Sequence, residues 1–397
     1  MKEKARVIGH TSLFNEQALS LEKLLNELQY PDHIEKVVKE KLEKPDIAEI
    51  ASIAYSGEGF DYPLCKRMPL TRLAVVTWLL QKTYGEYKAI GVADDIIFET
   101  FRDVTLRATL YYQKTEKVGI SKEDVIWFRH LMNVNIFKVG VLQFQPFEMI
   151  YLDEETIGEH YMTFSKEQKL SLPNGAPVIN CHIQRNADLS SDRVTASLQD
   201  AKDFFMRVFP KKQFQAFLCY SLLLYPQMAK RLSPVSRIRK FYQLFMIIGE
   251  CNDSEQAIEN LFADGKRKRL PQMSSLQKMA MDHLGWFGFA CGIIKWNNNK
   301  DGGTVLLSRR VRLRGVGSRI CCLRHGMILK CSVCLRKQCS ILASPGRTKE
   351  PSPPSYSVHT KRDAGTCETA RVPARYGFCG LWRAYWMRTL SSIATVS

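Results

Sequence analysis

The chain has 397 residues, of which 45% are hydrophobic, enough for packed cores in two or more domains and incompatible with global disorder. A formal charge of +17 would ordinarily point to a polyanionic partner, but it is unevenly placed: residues 297–397 hold 18 Lys and Arg against four Asp and Glu, leaving 39 against 36 in residues 1–296. The body is nearly neutral, so its composition gives no reason to expect a nucleic-acid or membrane-surface binder in residues 1–296.

The other signals of compartment agree with a reducing, aqueous setting. Cys65, Cys181, Cys219, Cys251 and Cys291 are widely spaced among apolar neighbours, as buried free thiols are. The first residues carry charge without an apolar core or a small-residue cleavage site, so no secretory signal is expected. The longest apolar run, Phe214 to Tyr225, is too short to span a bilayer. A soluble, cytoplasmic protein without membrane attachment is the expectation.

In chain order, Leu21, Leu24, Leu25 and Leu28, then Ile34, Val37, Val38 and Leu42, recur at three- and four-residue steps and predict two amphipathic helices split at Pro31. A third helix is expected after Pro45. A fourth runs over 68–87 with Pro69 in its first turn, and a fifth over 94–113 on Ile97, Phe101, Val104 and Leu110. A sixth, over 121–134, is capped by Ser121 with Asp124 three residues on. The period changes after Asn135: residues 137–152 and 177–184 alternate and are bounded by turn residues such as Pro173, Asn174 and Gly175, which predicts strands. A helix follows on Val194, Leu198, Ala201, Phe205 and Val208, capped by Ser190 or Ser191 and stopped by Pro210. A further apolar strand in 214–225 and several helical segments complete the body. The fold class expected is mixed α+β or α/β: an all-helical domain in residues 1–134, an α/β domain in 135–296 with helices covering a small sheet, and an irregular basic tail in 297–397. That tail has no sustained period and is rich in scattered Arg and Cys, as a coding region read in the wrong frame would be.

The blocks WFRHLMNVNIFKVGVLQFQPFEM (127–149), INCHIQ (179–184), SLQDAKDFFMRVFP (197–210), FQAFLCYSLLLYPQMAKRL (214–232) and GWFGFACGII (285–294) together resemble a family of bacterial acyltransferases with an N-terminal helical domain and a GNAT-like C-terminal domain. The resemblance covers about residues 20–296 and implies a transferase that takes its acyl group from acetyl-CoA or another acyl-CoA as co-substrate. Two departures from the family pattern stand out. The loop after His182 and Ile183 reads QRNADLSSD without a glycine, which restricts backbone approach to a pyrophosphate. The block Cys219–Tyr220–Ser221–Leu222 stands where the family has a Cys–His–Ser–Trp-like run.

Acyl transfer from a thioester to an amine needs a splayed strand, N–H donors for the cofactor, a base for the amine and an acid for the thiolate. His182, on the strand INCHIQ, is the first candidate base and His160 a second. Tyr220 is the candidate acid, as a tyrosine is in many GNAT enzymes. Asn186, Ser190 and Ser191, in the loop and at the following helix start, form the expected pyrophosphate cradle. Each competes with a plainer role as core or sheet surface. GKRKRL (265–270) reads as a solvated loop, or as a grip for a CoA phosphate or an RNA backbone. Cys322, His325, Cys331 and Cys334 resemble zinc-ligand pairs but lie too close together, and no metal is expected. The favoured function is an acyl-CoA-dependent N-acyltransferase acting on a small-molecule or peptide amine. A catalytically inactive GNAT-like scaffold for a protein partner and a zinc-containing nucleic-acid binder are the alternatives.

Overall fold

The helical phase starts where Ser20 accepts a hydrogen bond from the Lys23 N–H, capping α1 (Leu21–Leu28), which ends on Gln29 in the left-handed region at φ 55°. The computed structural model describes residues 19–158, 160–262 and 273–296. Pro31 opens α2 (Asp32–Leu42) and Pro45 opens α3 (Asp46–Ile53). Pro69 sits in the first turn of α4 (Pro69–Ala89), where its missing N–H costs nothing. α5 (Asp94–Thr115) follows, and α6 (Lys122–Met132) begins in a reciprocal capping box of Ser121 and Asp124. The expected helical order over this part of the chain is the one observed.

Strands begin at β1 (Phe137–Val139) and β2 (Leu142–Glu148), joined by a tight hairpin. Gly140 turns it at φ 61°, and a Cβ there would lie 3.0 Å from Ser197 Cβ. Two short helices, α7 (Glu154–Ile157) and α8 (Lys166–Ser171), precede β3 (Pro177–His182). Then come α9 (Ser191–Val208), β4 (Ala216–Ser221), α10 (Pro226–Ala229), α11 (Arg237–Tyr242), β5 (Met246–Cys251), α12 (Ser254–Leu261), α13 (Ser275–Asp282) and β6 (Phe289–Lys295). Among the described residues these strands form a six-stranded sheet in the order β1-β2-β3-β4-β6-β5, antiparallel except for the parallel pair β3–β4.

The apolar ending GWFGFACGII therefore supplies a central strand. β6 lies between β4 and β5, so among the described residues the edges of the sheet are β1 and β5. Gly292 is needed there because a Cβ would come within 2.8 Å of Leu224 and 2.9 Å of Phe245.

The two faces of the sheet are filled differently. α9 covers one, laying Phe204 and Phe205 against Phe137, and Phe205 against Phe144. Ser197 pins this helix to the hairpin, donating to the Val139 carbonyl and accepting from the Leu142 N–H. The helical part meets the other face and the β1 end: the Tyr87 hydroxyl donates to the Ile136 carbonyl at 2.7 Å, and the Lys138 N–H donates to Thr100 Oγ1 at 2.8 Å. One apolar core runs through helices and sheet from Leu19 to Trp296. Cys65, Cys181, Cys219 and Cys291 are buried and Cys251 is half-buried, all as free thiols. Among the described residues no helix is long and apolar enough to cross a membrane.

Candidate functional site

The parallel ladder between β3 and β4 pairs Val178 with Ala216, Ile179 with Phe217 and Asn180 with Leu218, and stops there. Beyond it, Cys181 and His182 stay bonded to β2 opposite Phe144 and Gln143, while Cys219, Tyr220 and Ser221 stay bonded to β6 opposite Gly292, Cys291 and Ala290. The two strands part, leaving a fork at their carboxyl ends whose backbone groups no longer serve each other. The register puts His182 and Tyr220 on the same face of the sheet, one on each prong.

His182 is buried, and its Nε2 lies 2.9 Å from Gln145 Oε1 and 3.1 Å from Asn180 Nδ2. Gln145 Nε2 lies 3.1 Å from Nδ1 of His130 on α6. Trp127 stands edge-on to both imidazoles, with centroids 5.0 Å from His182 and 5.3 Å from His130. The indole N–H donates to Asp103 Oδ2 at 2.6 Å, and Gln184 Nε2 donates to Asp103 Oδ1 at 3.0 Å. Arg107 reaches Asp103 at 3.3 Å and Asp124 at 2.9 Å and lies over the Trp127 ring. This buried polar network joins α5 and α6 to β2 and β3 beside the fork.

Burial, reinforced by the nearby charges of His130 and Arg107 against the opposing pull of Asp103, lowers His182 to about 3. Burial and Arg129 lower His130 to about 4. Burial pushes the Asp103 carboxyl up, but Arg107, Trp127 and Gln184 together hold it below the ordinary carboxylate range. At neutral pH the network therefore holds two neutral imidazoles and an ionised pair.

Tyr220 is buried, its hydroxyl donates to the Ile150 carbonyl at 2.7 Å, and burial raises its pKa well above the ordinary value. Burial likewise raises Cys219 to about 12, which removes its thiolate at neutral pH.

The glycine-free loop solves its turn with asparagine. Asn186 takes φ 64°, and the Ala187 N–H closes the turn onto the Gln184 carbonyl at 3.1 Å. Ser190 is the N-cap of α9, yet its side chain makes no capping bond. The α9 start thus presents N–H groups without partners inside the helix on the loop that leaves β3. The Ser190 N–H donates to Asp188 Oδ1 at 3.0 Å, and Arg237 of α11 pairs with the same oxygen at 3.1 Å. Ser191 is half-buried and Asn186 exposed. His160 is exposed. GKRKRL and the tail cysteines lie outside the described residues. Among the described residues no group of three or more His, Cys, Asp or Glu could hold a metal ion.

The side chains around His182 were not singled out in the sequence, although a signal exists. Gln143 and Gln145 in LQFQPFE, and Asn180 and His182 in VINCH, put polar residues at every second place of strands that are otherwise apolar. Asp103 and Arg107 fall i, i+4 on the buried stripe of α5.

Residues 136–290 match the family described as GNAT-like C-terminal domain. None of the curated proteins matches the chain in sequence. Among solved structures, an acyltransferase in complex with decanoyl-CoA is similar at 19% identity over 70% of this chain and 88% of that one, with a TM-score of 0.52. An acyltransferase mutant in complex with octanoyl-CoA matches at 17% identity over the same shares, also at 0.52. An acyltransferase in complex with decanoyl-CoA and teicoplanin matches at 17% and 0.50. At these identities the likeness is one of fold.

Proposed function

We propose that this protein is an acyl-CoA-dependent N-acyltransferase whose acyl donor lies in the β3–β4 fork. The observation that carries the reading is the end of the parallel ladder at Asn180 and Leu218, directly before the loop that leads into α9. Parted strands offer backbone N–H and C=O groups to an extended amide chain such as pantetheine, and a helix start beside them favours a diphosphate. Asn186, Ser190 and Ser191 form the cradle in this reading. The similar acyltransferases with octanoyl-CoA and decanoyl-CoA support a medium-length acyl chain as donor, and the teicoplanin complex supports a peptide-like acceptor.

In the reaction the amine nitrogen attacks the thioester carbonyl carbon, and the C–S bond breaks as the tetrahedral intermediate collapses. His182 accepts the amine proton and Tyr220 gives a proton to the departing thiolate, each acting from one prong of the fork. The low pKa of His182 keeps it unprotonated across the neutral range but makes it a weak base, so Asp103 contributes by favouring the imidazolium as it forms. Tyr220 acts once its hydroxyl is released from the Ile150 carbonyl. The helical domain, residues 1–134, bounds the acceptor side, because α5 and α6 meet the sheet face from which both side chains project.

One observation favours a non-catalytic scaffold instead: the Asp188 carboxylate already takes the Ser190 N–H and Arg237, the groups an incoming diphosphate would use. Calorimetric titration of acetyl-CoA and decanoyl-CoA into the full chain decides between the two. The expected result is micromolar binding of the longer thioester, weakened by Ser191→Ala and retained by His182→Ala. A folded protein that binds neither thioester removes the transferase reading and leaves the scaffold.

A further inference from the structure

The bridge between the buried imidazole of His182 and the half-buried imidazole of His130 is a single neutral amide. Gln145 presents its carbonyl oxygen to His182 Nε2 at 2.9 Å and its NH2 to His130 Nδ1 at 3.1 Å. An amide donates on one side and accepts on the other, so this geometry requires a proton on His182 Nε2 and a lone pair on His130 Nδ1. If the amide were reversed, both requirements would reverse with it. Asn180 joins this scheme once its amide is turned. Its NH2 lies 3.1 Å from His182 Nε2, while its buried carbonyl oxygen has no hydrogen-bond partner, and a half-turn of that amide lets the oxygen share the Nε2–H with Gln145.

The surroundings keep both rings where this coupling acts. Trp127 packs edge-on against the two imidazoles and is itself held by Asp103, which also binds Gln184, two residues beyond His182. The charged and titratable groups facing His182 are Asp103 and Arg107 from α5 and His130 from α6.

We infer that Gln145 is a positioning residue that couples the tautomer of His182 to that of His130, so that α6 determines which ring nitrogen of His182 carries the proton. A ring held in one tautomer keeps its proton on one defined nitrogen, where a freely exchanging ring would be in the wrong form for part of the time. The catalytic consequence rests on the acyl-transfer reading, whereas the coupling itself does not.

The test is long-range 1H–15N correlation of the imidazole nitrogens in the 15N-labelled full chain at pH 7, assigned with His130→Gln and His182→Gln. Both rings are expected as single Nε2–H tautomers. Gln145→Glu accepts from His182 but cannot donate to His130, so His182 should keep its Nε2 proton while His130 moves its proton to Nδ1. Gln145→Leu removes the bridge and should shift the tautomer population of His130, and to a lesser extent that of His182, which keeps Asn180, and the Glu variant answers the question should the Leu variant fail to fold. Averaged signals in the parent protein, or an unmoved His130 in Gln145→Glu, overturn the inference. Turnover of decanoyl-CoA is the second readout: Gln145→Leu should lower kcat about tenfold or more with KM for the thioester unchanged. Locked tautomers without turnover by the parent protein leave the positioning in place and remove the acyltransferase reading. Turnover with averaged tautomers does the opposite.

Discussion

The two faces of the sheet are built from opposite chemistry on the same strands. Toward α9, Phe205 touches the rings of Phe137, Phe144, Phe204, Phe209 and Phe214, and Phe217 joins Phe144 and Trp296. Toward α5 and α6, the alternate residues of β2 and β3 are Gln143, Gln145, Asn180 and His182, and the helices answer with Asp103, Arg107, Trp127 and His130. An aromatic face gains stability from area and contact alone and tolerates adjustment. A buried polar face gains little net stability when fully paired and loses much when one partner is removed.

The comparison is tested hardest by truncation on each side. Phe205→Ala and Asp103→Ala should each cost about 3–5 kcal/mol in urea unfolding, the first through a cavity and the second by leaving Arg107 buried with only Asp124. They differ in rescue. The pair Asp103→Leu with Arg107→Met should lose less than Asp103→Ala alone, because it removes the stranded charge. A double variant worse than the single would show that the polar face contributes stability in its own right.

A dependence on pH comes next in size. His182 and His130 sit at about 3 and about 4, below the ordinary histidine value, so between those values and pH ~6.5 the unfolded chain binds more protons than the folded one. Their contribution is complete above pH ~6.5 and lost as the pH falls toward 4 and 3, on the order of a few kcal/mol. Thermal melts from pH 7 to 4.5 should show this slope, flattened in His130→Gln and His182→Gln and unchanged in Phe205→Leu. Equal slopes in all variants would separate the acid sensitivity from the polar face.

Smaller effects mark where neither face reaches. Ser121→Ala removes half of the α6 capping box and should cost about 1 kcal/mol by urea denaturation, felt on the polar side because Asp124 also holds Arg107. Arg237→Ala breaks an exposed ion pair with Asp188 and should leave the urea unfolding midpoint unchanged. A lowered midpoint would show that the loop before α9 depends on this pair.

Much of the architecture was legible in the chain because local rules govern it. Leu at three- and four-residue steps, Pro31, Pro45 and Pro69, and the Ser121 and Asp124 cap determined the helices of the first part. Alternation marked β2 and β3, and the resemblance to a GNAT-like domain agrees with the family matched by residues 136–290. The place of β6 was not legible. FGFACGIIK has no alternation because both its faces are buried, and its glycines answer to Leu224 and Phe245, residues distant in sequence.

The candidate site divides along the same line. Sequence determined that His182 ends a strand and that Ser190 and Ser191 begin a helix, since these are matters of neighbours and periods. Only the tertiary structure decided that β3 and β4 run parallel and part after Asn180 and Leu218, that His182 and Tyr220 project from the same face, and that Gln145 bridges His182 to His130. Strand pairing and buried hydrogen bonds join residues tens of positions apart, and their partners are selected by the whole core at once, which no local pattern records.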